Sequence, residues 1–201
     1  MNTFEADVKA AISKNKEYQA ELKKIIKEQF EERKQNLVEN FSNHPVTKEI
    51  SAEESPNISN TLGGYGNLFG FLGFDQGSDP IYPVEETLKS KTQLENISIK
   101  TSTDNVLVRY SVPDLEDFNS SAQLEWDATN WVKGIERGIS GFQNFMAKAA
   151  GNSGQGIQIK GKIKPFTGGA NRFRNTKYMS DLINKFKLSI NKLWKSISKI
   201  H

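Results

Sequence analysis

Apolar residues return at helical spacing at both ends of this chain, so whatever lies between must be built around two amphipathic helices. At the start, Tyr18, Leu22, Ile25, Ile26 and Phe30 form a stripe that Phe4, Val8 and Ile12 open. The Lys and Glu residues between them favour helix, and the pattern predicts one long helix over residues 4–42. The run Glu-Glu-Arg-Lys-Gln-Asn interrupts the stripe between Phe30 and Leu37. There the helix leaves its own core, or turns one side to water or to a neighbour. Leu37, Val38 and Phe41 resume it, and Asn43-His44-Pro45 ends it, because the residue before a proline avoids the helical region. At the other end Met179, Leu182, Ile183, Phe186, Ile190, Leu193, Trp194 and Ile197 form the second stripe, with Asn175 or Thr176 as its cap.

The middle is patterned mostly for strands. Val46 to Ile50 reads as a short strand, followed by a polar loop to Asn60. Gly63, Gly64 and Gly66 then lead into Asn67 to Phe74, which alternates Leu68, Gly70 and Leu72 against Phe69, Phe71 and Gly73. We read a turn into a bent strand, since glycine inside a strand marks a bulge or a close neighbour. Its aromatic side, Phe69 and Phe71, meets either another subunit or ordinary core. Pro83 suits the first turn of a short helix carrying Val84 and Leu88. Ile97, Ile99 and Thr101, then Val106, Val108, Tyr110 and Val112, flank an Asp104-Asn105 turn and predict a hairpin.

Residues 128–149 return to helical spacing through Trp131, Ile135, Ile139, Phe142, Phe145 and Met146. Gly134, Gly138 and Gly141 interrupt, each costing about 1 kcal/mol relative to alanine. That burden points to close backbone approach, to a strand or to a second chain. Gly156 to Lys164 alternates isoleucines with Gln158, Lys160, Lys162 and Lys164, a strand with one basic face. The expected fold class is α+β: a long N-terminal helix, a mostly antiparallel sheet of short strands, a Gly-rich middle helix and a C-terminal helix. We expect one domain over residues 1–201, divided into a helix (1–42), a sheet with an inserted helix (43–174) and a final helix (175–201).

Composition removes several function classes. Among the 201 residues there is no cysteine, hence no disulfide, thiolate nucleophile or Cys zinc site. The first residues are polar and charged, without the apolar core of a signal peptide. No apolar run is long enough to span a bilayer. No cofactor is expected. Gly63-Gly64-Tyr65-Gly66 lacks the Gly-Lys-Ser/Thr ending of a Walker loop, and its glycine spacing is wrong for a dinucleotide fingerprint. His44 and His201 are the only histidines, and neither has a partner at metal-ligand spacing.

Charge is divided unevenly along the chain. Residues 148–201 hold twelve Lys or Arg and one acid, Asp181, giving +11, whereas residues 1–147 hold fifteen bases and twenty-three acids, giving −8. Such a division suits a polyanion partner, the mating of one subunit's basic end with another's acidic flank, or a plain solvated face. Lys160, Lys162 and Lys164 project about 7 Å apart along one strand face. Arg172, Arg174 and Lys177 follow, with Phe166, Phe173 and Tyr178 interleaved. Bases for phosphates and aromatics for stacking are what a single-strand surface uses; bases alone suit a lumen through which duplex DNA passes, and the remaining reading is that the aromatics are core and the bases solvated.

The stretches NHPVTKEI (43–50), NISNTLGGYGNLFGFLGF (57–74), WVKGIERGISGFQNF (131–145), SGQGIQIKGKIK (153–164) and RFRNTKYMSDLINKF (172–186) resemble virion proteins of tailed bacteriophages. The family is that of neck and tail-completion components at the head–tail junction. The resemblance implies a non-enzymatic structural protein of the virion, assembled in the host cytoplasm. It implies a homo-oligomeric ring between portal-side or adaptor-side and tail-side partners, through which DNA passes. It further implies that Phe69, Phe71, Gly134, Gly138 and Gly141 serve subunit packing, and that the basic residues face a neighbouring subunit or make non-specific contact with phage DNA. A nucleic-acid-binding module using the basic 158–177 segment is the alternative. An enzyme centred on His44 is the third class.

Overall fold

The structure is a computed structural model and describes residues 15–53, 59–62, 67–100, 105–124, 127–137, 146–147, 157–158 and 176–197. It is a mixed α+β fold. Helix α1 (Lys16–Asn43) runs for 28 residues, roughly 42 Å at the rise of an α-helix. Asn15 starts it, its side chain accepting from the amides of Glu17 at 2.8 Å and Tyr18 at 3.3 Å. Leu22, Ile26, Phe30, Leu37 and Phe41 are its buried residues. At the interruption, Arg33 lies half-buried at the edge of the core, donating from Nη1 to the main-chain and side-chain oxygens of Gln29, both at 2.9 Å. Ile25, a member of the expected stripe, points outward.

Helix α6 (Met179–Ile197) packs against α1 and runs antiparallel to it. Phe41 stacks on Tyr178 at one end, with ring centroids 6.0 Å apart, and Phe30 meets Phe186 edge-on at 5.8 Å. Near the other end Trp194 packs with Leu22 and Ile26. The two ends of the chain thus form one core wall. Met179, Leu182, Ile183, Phe186, Ile190 and Leu193 are buried, as the stripe predicts. Each such burial contributes about 1.5–3 kcal/mol.

The cap of α6 differs from expectation. Thr176 donates its amide to the Ile135 carbonyl, and Asn175 lies outside the described residues. The Ser180 amide is instead satisfied by Glu136 Oε1 at 2.6 Å, from the end of a distant helix. That helix, α5 (Trp131–Glu136), is all that is described of the long middle helix expected over 128–149. Asp127–Asn130 is strand β4, paired with β3 (Gln123–Leu124), and Met146–Ala147 is strand β5, paired with β6 (Ile157–Gln158). Asn130 explains the switch: it closes β4 and caps α5, its Oδ1 accepting from the Lys133 amide at 3.0 Å. Residues 138–145 lie outside the described residues.

Two expected strands are helices. Val46–Ile50 lies in α2 (Pro45–Ser51), with Pro45 at the first helical position and His44 as its cap. A proline that ends one helix also suits the start of the next, since the missing amide has no partner there in any case. Asn67–Phe74, expected as a bent strand, contains α3 (Leu68–Leu72). Asn67 Oδ1 accepts from the Gly70 amide at 2.9 Å, and Gly73 closes the turn with φ +74°. The Phe74 amide reaches back to the Phe69 carbonyl and the Gly73 amide to Gly70, the Schellman arrangement.

Helix α4 (Ile81–Lys91) carries buried Val84 and Leu88 as expected. Pro80 already has helical angles, and Asp79 Oδ1 accepts from the amides of Ile81 and Tyr82 at 3.2 and 3.0 Å. Asp79 is therefore the working cap, Pro80 the first helical residue, and Pro83 occupies a later position of the first turn.

Strands β1 (Gln93–Lys100) and β2 (Asn105–Ser111) form the expected antiparallel hairpin, with Ile97 opposite Val108 and Ile99 opposite Val106. The register shifts between Leu94 and Asn96. Without that bulge Leu94 and Ile97, three apart, would face opposite sides. With it Leu94, Ile97, Ile99, Val106 and Val108 all pack with Leu22, Ile26 and Trp194.

Candidate functional site

Most of the described part of the basic segment, residues 148–201, is α6. With the inward stripe held in the core, the helix turns Asn184, Lys185, Lys187, Leu188, Asn191, Lys192 and Lys195 to solvent. Leu188 is 60% exposed at the centre of this face. Residues three and four apart on a helix are neighbours, so Lys185 and Lys192 flank Leu188 on one side and Asn184 and Asn191 on the other. Asp181 pairs with Lys185 at 2.7 Å. It is the only acid in residues 148–201, so it neutralises one cation of the face and leaves the rest net positive.

A groove of about 120 Å³ borders this face, along the seam with α1. Arg33, Asn36, Asn40, Lys185 and Ser189 rim it, and Leu37, Leu182 and Phe186 form its floor. A second, open depression of about 500 Å³ lies where α4 leads into β1 and β2 leaves the hairpin, with Lys91 and Asp117 on its wall.

At the start of α6 the chain is clamped. Tyr178 is fully buried, and its hydroxyl hydrogen-bonds to that of Thr47 at 2.7 Å. Burial pushes the phenol well above its ordinary range; the bond to Thr47 opposes this, and the Glu136 charge adds to it. The His44 ring lies against the same tyrosine, with centroids 4.8 Å apart. His44 Nδ1 accepts from the Val46 amide at 3.3 Å. Burial holds the imidazole below the usual histidine value; Lys177 and the Asp181 carboxylate oppose the shift, and the Lys185 charge adds to it. The arrangement ties α1, α2 and the lead into α6 together around a neutral histidine.

Glu49 on α2 does similar work for the loop before α3. Its carboxylate accepts from Ser59 Oγ at 2.6 Å and from the amides of Asn60 and Thr61 at 3.0 and 3.2 Å. Among the described residues no cluster of His, Cys, Asp and Glu is arranged to hold a metal ion. Among them, too, no helix is long and apolar enough to cross a membrane.

No family model, curated protein or solved structure matches this chain.

Of the basic residues singled out in the sequence, Lys177 is exposed immediately before α6. Lys160, Lys162, Lys164, Arg172 and Arg174 lie outside the described residues, as do Phe166 and Phe173. Tyr178, one of the aromatics interleaved with these bases, is core. Phe69, a candidate for subunit packing, is 2% exposed within this chain's own core, where a neighbour cannot reach it. Phe71 is half-buried against that core. Gly134 is buried in α5, whereas Gly138 and Gly141 lie outside the described residues. The exposed lysines of α6 were missed because a stripe analysis follows the apolar face. The opposite face of the same wheel carries the signal.

Proposed function

We propose that this chain is a structural virion protein of a tailed bacteriophage, forming a ring at the head–tail junction through which DNA passes. Its neighbours on the axis are portal-side and tail-side virion proteins. The supporting observation is the outer face of α6: a net positive surface with an exposed leucine at its centre, in a segment whose only acid is Asp181. Such a surface suits contact with an acidic protein face better than simple solvation, since leucine gains nothing from water. The sequence stretches that resemble neck and tail-completion proteins supply the location and the ring.

The test is immuno-electron microscopy of phage particles produced with the gene intact, using antibodies against this chain. Label at the junction of head and tail supports the proposal; label absent from purified particles overturns it. The second reading, a nucleic-acid-binding module, is favoured by Lys177 lying at the foot of the same basic face. It predicts DNA affinity that falls steeply with salt. Binding unchanged after neutralising Lys160, Lys162, Lys164, Arg172 and Arg174 would remove that reading.

A further inference from the structure

The two most exposed large apolar side chains among the described residues stand on faces of opposite charge. Leu188, 60% exposed, sits among the lysines of α6, and Tyr82, 62% exposed, sits on the outer side of α4. Asp79 and Glu86, three residues before Tyr82 and four after it, share that side and are exposed, and Asp75 is exposed in the turn just upstream. Glu86 pairs with Lys89 at 3.3 Å, while Asp75 and Asp79 have no cation partner among the described residues. Across from them in kind, Lys187 and Lys192 have no acidic partner among the described residues.

We propose that these two faces meet between neighbouring copies of this chain, with Leu188 of one copy seated on Tyr82 of the next and the lysines around the first facing the acids around the second. The proposal rests on the assembly reading above and names its interface. Each patch has an apolar centre and a charged surround, and the two surrounds have opposite signs. A phosphate backbone would satisfy the lysines but offer nothing to Leu188, so a second copy is the better occupant than nucleic acid. Because two different faces meet, the contact is head-to-tail, and such contacts close into rings when the rotation between copies permits. Charge complementarity around an apolar centre also fixes orientation and suppresses wrong pairings.

The test uses two variants of the full chain, Leu188→Glu and Tyr82→Lys, followed by sedimentation velocity across a concentration series. Both positions are exposed, and circular dichroism checks that each variant keeps the wild-type fold. Leu188→Glu spoils the basic face and leaves the acidic one intact; Tyr82→Lys does the reverse. We expect each variant alone to associate at least about tenfold more weakly than wild type. Mixed in equal amounts, the two should associate again, since the intact basic face of Tyr82→Lys meets the intact acidic face of Leu188→Glu. Wild type that assembles while both variants assemble equally well would overturn this interface and leave the ring reading standing. The same holds if mixing the variants restores nothing. Wild type that stays monomeric throughout would overturn the interface and count against the ring reading as well, and wild type that stays monomeric but binds a short duplex DNA through this face would assign the lysines to nucleic acid.

Discussion

Replacing Thr47 by Val and Tyr178 by Phe, singly and together, probes the clamp that holds the start of α6. The two hydroxyls are 2.7 Å apart, Thr47 is 2% exposed and Tyr178 0%. Each single variant keeps the shape of its side chain but leaves the other hydroxyl buried without a partner, at about 1–3 kcal/mol. The double variant removes both polar groups together, and an apolar pair of the same shape is nearly neutral. The double variant should therefore be no less stable than the worse single variant, giving a coupling of at least about 1 kcal/mol. Urea unfolding followed by circular dichroism measures this, with the midpoint shifting and the slope unchanged. For a chain of this length each kcal/mol corresponds to about 2–4 °C in melting temperature. Losses that simply add, to within about 0.5 kcal/mol, would refute the reasoning. They would mean that both hydroxyls reach water and that the clamp is packing alone.

Three further outcomes follow from named contacts. Because burial lowers the His44 pKa in the folded chain, the unfolded chain binds the proton more readily. The contribution of His44 to stability should be constant above its ordinary value of about 6.5, and fall as the pH drops below it toward the lowered folded value. Urea midpoints of wild type and His44→Asn, which keeps a capping side chain, should diverge in their pH dependence over that window; identical profiles would contradict the assignment. Glu49→Ala should cost about 1.5–3 kcal/mol and speed amide exchange at Asn60 and Thr61, whose partner is removed. Gly73→Ala forces a side chain onto a residue at φ +74° and should cost about 1–2 kcal/mol by urea unfolding, with Gly70→Ala, whose added carbon meets only Asn67 Oδ1 at 3.8 Å, as the mild comparison.

The elements legible in the sequence were those long enough to show a period. The stripe from Met179 onward and the hairpin residues Ile97, Ile99, Val106 and Val108 repeat often enough for one face to be unmistakable. Five residues of α3 cannot show a helical period, and Leu-Phe-Gly-Phe-Leu alternates as well as any strand. What decides its conformation is the bracket around it: Asn67 supplies an acceptor to the first turn, and Gly73 adopts the left-handed conformation that ends it. Pro45 misled in a similar way, because its role as a stop for α1 concealed its role as a start for α2. Within the span expected as the middle helix, Asn130 ends strand β4 and caps α5, and Glu136 at the end of α5 accepts from the Ser180 amide. Tyr178 lies beside basic residues in the sequence yet packs between Phe41 and Trp131. Neighbours in sequence do not reveal which side of the chain faces the core. The charge division was legible from the totals, but only the helix geometry shows Leu188 at the centre of the lysines.

We propose that this chain works by fitting against copies of itself. Electron microscopy of the purified wild-type chain, at concentrations where sedimentation shows association, tests it most directly. Closed particles of uniform symmetry with an open centre are expected. Monomers at every concentration, or irregular aggregates without symmetry, would contradict it.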